Sequence, residues 1–83
     1  MGIDYRRLRD VTSREIVSAL VRDGFAFDRA SGSHQIYYHP EGRRVTLVFH
    51  GGSTTFTRKT LKSIIESQAR WTEDDLKRLK LIR

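Results

Sequence analysis

An α+β domain is the architecture this sequence predicts: one helix, three antiparallel strands in a meander, a second helix, and a short C-terminal helix. Three observations predict it. Ile16, Val17, Leu20 and Val21 recur at helical spacing near the N-terminus. Residues 25–49 break into three short β-rich runs separated by two turn signals, and residues 57–69 return to helical spacing. Helices on one face of the sheet are the simplest packing of that order, which leaves the sheet's other face open.

Each element carries its own signal. Thr12 and Glu15 have capping-box spacing ahead of a helix over 12–23, and Gly24 is its natural stop. Phe25 to Arg29 reads as a strand, Phe25 and Phe27 alternating with Ala26 and Asp28. Ser31-Gly32 supplies a turn, and His34 to His39 is the second strand. Pro40-Glu41-Gly42-Arg43 is a turn by composition, and Arg44 to Phe49 is a third strand of β-branched and aromatic residues. Gly51-Gly52-Ser53-Thr54-Thr55 reads as a flexible polar loop, a candidate mobile lid. Thr57 caps a helix over Arg58–Ala69, with Leu61, Ile64, Ile65, Gln68 and Ala69 on one face and Lys59, Lys62, Glu66 and Arg70 off it. Thr72 caps the last helix, whose first turn is acidic, whose stripe is Leu76 and Leu79, and for which Trp71 is an expected anchor.

Composition then narrows the function. With 83 residues the chain reads as a single domain over 1–83, core about 12–70 and helical extension 71–83. It has no cysteine, which excludes a disulfide framework, Cys-based zinc sites and thiol nucleophiles, and suits a reducing cytoplasm. No apolar run is long enough for a membrane span, and no apolar segment follows the N-terminal arginines as in a signal peptide. The net charge of +6 points to a polyanionic or acidic partner. Of 16 basic residues 12 are arginine, whose planar fork matches phosphate, and this favours nucleic acid. The charge is uneven: residues 1–50 carry a net +2 and residues 51–83 a net +4.

Asp23-Gly24-Phe25, Arg29, Gly32-Ser33-His34, Tyr37, His39-Pro40, Arg44-Val45-Thr46, His50 and Thr60-Leu61-Lys62-Ser63-Ile64-Ile65 follow one another over about residues 13–69. In this order they resemble the HicA family of toxin mRNA interferases. The resemblance implies a fold similar to the double-stranded RNA-binding domain, an endoribonuclease acting on mRNA, a HicB-like antitoxin partner, and His34 as the catalytic residue. Gln35 stands where many members carry a second histidine, and Lys59 where a glycine is common.

Chemistry gives His34 a role of its own. Cleaving RNA without a metal needs a base for the 2′-OH proton, an acid for the leaving oxygen, and cations for the developing charge. An imidazole titrates near neutrality and can serve in either proton transfer. The N–H groups of Gly32 and Ser33 are expected to cradle a phosphate, with Arg29, Lys59 and Lys62 as cationic stabilisers. His39 and His50 read as strand-edge caps, though His50 could join His34 if the second and third strands are antiparallel neighbours. His34 and His39 lie five residues apart, so alternation points them to opposite faces and argues against one metal sphere. No cofactor is expected. Tyr37 and Tyr38 also point to opposite faces, one toward the core and one outward. The second function the sequence supports is a non-catalytic RNA-binding module using the same basic surface. A protein adaptor using the second helix is a third, but it explains neither the charge nor His34.

Overall fold

Thr12 starts the first helix with both halves of a capping box: its hydroxyl accepts the Glu15 N–H, and the Glu15 carboxylate accepts the Thr12 N–H at 2.9 Å. The computed structural model describes residues 2–82, and this helix, α1, spans Ser13–Arg22. Ile16, Ala19 and Leu20 are buried on its inner face, whereas Val21, expected in the same stripe, is exposed. Gly24, with φ 102°, turns the chain into the sheet. A Cβ at that position would stand 3.0 Å from His39 Nε2, so both the backbone angle and the space favour glycine.

Three antiparallel strands follow in the order β1-β2-β3: β1 Ala26–Ser31, β2 His34–Tyr38 and β3 Arg44–Val48. Phe25 lies before β1 and is buried, while Phe27, its expected companion, is largely exposed at the sheet margin, edge-on to Tyr37. The first strand also differs in register. Phe27 pairs with Tyr37 but Arg29 with Ile36, so Asp28 is an extra residue and makes a β-bulge.

The second helical segment is not uniform. Thr57 caps α2, Arg58–Lys62, as expected, but the chain then widens over Ser63–Gln68 into π-helical turns, with the Ala69 N–H bonded back to Ile64 O at 2.8 Å. In these turns Gln68 stretches to the outer edge of β3, where its Oε1 accepts the Thr46 N–H at 2.8 Å. That contact occupies a donor on the edge strand. After Arg70, at φ 58°, Thr72 caps α3, Glu73–Arg78, with Asp75 completing the box. The helix closes through Lys80, at φ 62°, with the Leu81 N–H on Leu76 O at 2.9 Å.

All the helices pack against the same face of the sheet. Ile16, Ala19 and Leu20 of α1, Tyr37, Val45 and Leu47 of the sheet, and Leu61, Ile64 and Ile65 of the second helical segment share one core cluster. Leu8 and Val11 before α1, and Trp71, Leu76, Leu79 and Ile82 after Arg70, belong to the same cluster. The segments that flank the resemblance are therefore parts of the core. Among the described residues the opposite sheet face carries no helix, although Ile36 on that face is buried.

The loop expected to be a mobile lid is tied down. Ser13 N–H donates to Thr54 O at 2.7 Å, Arg14 N–H to Gly52 O at 3.1 Å, and the Ser13 hydroxyl to Gly51 O. These carbonyls satisfy donors that the start of α1 cannot satisfy within the helix. Composition suggested mobility, but the unpaired groups of α1 hold the loop.

Candidate functional site

Gly32 and Ser33 form a two-residue hairpin loop between the paired Ser31 and His34. Gly32 has φ 60° and Ser33 does not share a positive φ, the pattern of a II′ turn with glycine at its first central position. This turn makes His34 the first ladder residue of β2. The Ser33 carbonyl accepts the Phe49 N–H at 2.7 Å, which docks the turn beside the end of β3. Among the described residues, the N–H groups of Gly32 and Ser33 have no backbone acceptor, so both remain available to an anion.

The register sorts the sheet's residues between its two faces. His34 stands opposite Ser31 and Val48, Ile36 opposite Arg29 and Thr46, and Tyr38 opposite Ala26 and Arg44. These form the open face. Gln35, Tyr37, Val45 and Leu47 turn to the helices, where the Tyr37 hydroxyl donates to Gln35 Oε1 at 2.9 Å and burial raises the Tyr37 pKa. Position 35 therefore points away from His34. The two tyrosines divide as expected, Tyr37 buried and Tyr38 exposed.

The bulge at Asp28 brings Arg29 onto the His34 face. Strict alternation from Phe27 would have turned Arg29 toward the helices. Arg29 now occupies a diagonal position to His34, a separation of roughly 7 to 8 Å between such pairs. Asp28 accompanies it in an exposed ion pair at 3.5 Å. Arg44 joins the same face, with its guanidinium 5.8 Å from the Tyr38 ring centroid. Neither Arg44 nor Tyr38 was singled out for the site from sequence. Strand alternation names both once the pairing of β2 with β3 is known.

Not every expected residue gathers there. Lys59 and Lys62 are exposed on α2, in the helical layer behind the sheet. Among the described residues neither makes a hydrogen bond or ion pair with His34. His34 itself is exposed, and its ring has no hydrogen-bond or ion-pair partner among the described residues. His50 is exposed just beyond β3.

His39 belongs to the fold. Its Nδ1 accepts the Glu41 N–H at 3.0 Å, which leaves Nε2 to donate to Asp23 O at 2.8 Å. Phe25 packs against the ring at a centroid distance of 5.1 Å. Beneath it, Asp23 is the hub of a polar cluster. Its carboxylate accepts Trp71 Nε1 at 2.8 Å, Arg43 at 3.1 Å and Arg78 at 2.7 Å. Burial pushes the Asp23 pKa up, but the hydrogen bonds from Trp71 and Arg78 and the charges of Arg43 and Arg78 outweigh it and hold the pKa below its ordinary value. Arg43 also donates to Ala69 O at 2.7 Å. A groove of about 520 Å³ lies here, lined by Asp23, His39, Glu41, Arg43, Arg70, Asp75 and Arg78. It sits at the end of the sheet away from His34, and ion pairs to Asp23, Glu41 and Asp75 occupy Arg43 and Arg78. The cluster fastens α3 to the hairpin and carries none of the chemistry expected of His34.

One comparison with known proteins bears on this geometry. A family model described as the HicA toxin of bacterial toxin–antitoxin systems matches residues 13–71, a span that runs from the first residue of α1 to Trp71. No curated protein matches the chain. No helix among the described residues is long and apolar enough to cross a membrane.

Proposed function

The chain belongs to the HicA toxin family of bacterial toxin–antitoxin systems, and from that premise we propose that it is a metal-independent endoribonuclease that cleaves mRNA, with His34 as the proton-transfer group. The observation that carries the proposal is the placement of His34: exposed, at the mouth of a II′ turn whose two N–H groups have no acceptor among the described residues, on a sheet face that no helix among them covers.

The chemistry follows from that placement. A backbone phosphate of RNA accepts the N–H groups of Gly32 and Ser33, which orients it beside the imidazole. His34 takes the 2′-OH proton or donates one to the leaving 5′-oxygen. Arg29 neutralises charge that develops on the phosphorane from the same face. Arg44 extends the positive charge along the strand, and Lys59 and Lys62 add to the field from the helical layer without touching the reacting atoms. A HicB-like antitoxin restrains the activity by covering the basic surface around His34, and the pair works in the cytoplasm.

The test compares His34→Ala with wild type for cleavage of a defined mRNA, alongside melting and RNA affinity. Cleavage should fall by about 10² to 10⁴-fold, with melting and affinity nearly unchanged, and EDTA should have no effect. Full activity in His34→Ala would end the catalytic proposal and favour a non-catalytic RNA-binding module.

A further inference from the structure

Six side chains that take no part in the site above line a cleft of about 280 Å³: Tyr5, Arg6 and Arg9 before α1, and Phe56, Arg58 and Leu61 around the start of α2. Three of the six are arginines and none is acidic. Asp4 holds Arg6 at 3.0 Å, and the Tyr5 hydroxyl is turned to Glu66. Arg9 and Arg58 have no hydrogen-bond or ion-pair partner among the described residues. Unpaired like charges around one concavity raise the local potential and favour an anion. Phe56 is only partly buried at the margin of the core and gives the cleft an aromatic wall. Guanidinium forks beside an aromatic face suit a nucleotide, the fork taking phosphate and the ring taking a base.

The topology puts this cleft at the His34 end of the molecule. Only Asp23, Gly24 and Phe25 separate α1 from β1, so α1 runs back along the sheet and begins near the turn from β1 to β2. The loop after β3 marks the same end, because β3 finishes opposite His34 and the loop is bonded to Ser13 and Arg14. Tyr5, Arg6 and Arg9 lead into that start of α1, and Phe56 and Arg58 leave that loop. Tyr5, Arg6 and Arg9 also lie outside the residues matched by the family model.

We propose that this cleft is a second RNA subsite, which holds a backbone phosphate with Arg9 and Arg58 and a base against Phe56, on the same single strand whose scissile phosphate lies at His34. The inference rests on the RNA-cleavage function proposed above and extends it with a determinant from the segment before α1. A single strand is the occupant because the cleft accepts a base face, which a duplex keeps stacked inside. The charge and the aromatic wall together therefore favour single-stranded RNA over an acidic protein segment, which needs no base stack.

The experiment measures RNA affinity of the Arg9→Ala/Arg58→Ala double variant in a His34→Ala background, where the probe is not consumed. The probes are single-stranded RNAs of about 12 and about 4 nucleotides. For the longer probe, affinity should fall on the order of tenfold and the salt slope should become shallower by roughly 0.7 for each phosphate no longer neutralised, while the shorter probe binds equally well. With His34 restored, KM for the longer RNA should rise. A melting curve confirms that the variant is folded. Equal affinity and equal salt slope in a folded variant overturn the subsite, even if wild type cleaves RNA. Unchanged RNA affinity combined with weaker antitoxin binding overturns it in favour of a protein-docking cleft. If the wild-type chain binds no RNA at all, the subsite and the proposed function fall together.

Discussion

Asp23 shows how one residue serves the fold while resembling a functional group. It is a carboxylate with 7% of its side chain exposed, satisfied by an indole and two guanidinium groups from three different parts of the chain. Removing it leaves the half-buried Arg43 without that carboxylate, so Asp23→Ala should destabilise the protein by about 3 kcal/mol in thermal or urea melts. The pH dependence has a definite sign. A carboxylate whose pKa is lowered in the folded state contributes stability that is present above its unfolded value near 4 and is lost as pH falls through the folded value. Melts from pH 7 downward should therefore show wild type weakening below about pH 4, with a smaller acid response in Asp23→Asn. Gly24 is the neighbouring test of geometry. Gly24→Ala places a Cβ against His39 at an unfavourable φ and should cost about 1 to 3 kcal/mol. The His39 partners were not legible in the sequence, because they come from the end of α1 and from the hairpin turn.

Among the elements, α3 and the bulged β1 separate what periodicity reveals from what it hides. Leu76 and Leu79 announce the amphipathic stripe of α3, and Thr72 ahead of an acidic turn announces its cap, which the structure completes as a capping box with Asp75. That α3 is part of the core depends on Trp71, buried against Phe25 at 6.5 Å between ring centroids and bonded to Asp23. Trp71→Ala should cost about 3 to 5 kcal/mol and expose apolar surface, measurable as a lowered melting temperature and increased dye binding. The bulge has the opposite character. No composition signal marks Asp28 as the extra residue, yet it decides which way Arg29 faces. Deleting Asp28 should return Arg29 to the helical side, and RNA cleavage should fall more than for Arg29→Ala, because the deletion also disturbs the pairing opposite β2.

For the whole molecule, the +6 charge sets the expected association behaviour. RNA affinity should fall roughly linearly in log–log form with salt, the slope reporting the number of phosphates neutralised. Affinity that stays constant from low to high salt would remove the RNA reading. An acidic antitoxin should likewise associate more slowly as ionic strength rises, and the mixed complex should lose RNase activity. Recovering only the free chain on co-purification with the product of the neighbouring reading frame would count against that partner.

The sequence alone determined the order of elements, the capping box at Thr12, the cap at Thr72, a turn at Gly32 that leads into β2 at His34, and the split of Tyr37 from Tyr38. All of these are local, because hydrogen-bond patterns within a turn and alternation along a strand depend on residues a few positions apart. Tertiary structure decided the rest. It tied the glycine-rich loop to α1, drew Gln68 to the edge of β3, assembled Asp23 with Arg43, Trp71 and Arg78, and turned Arg29 toward His34 through one inserted residue. The first three depend on which unpaired donor or charge the folded chain brings within reach from positions distant in sequence, and the fourth on where β1 slips against β2, which the spacing within β1 does not mark.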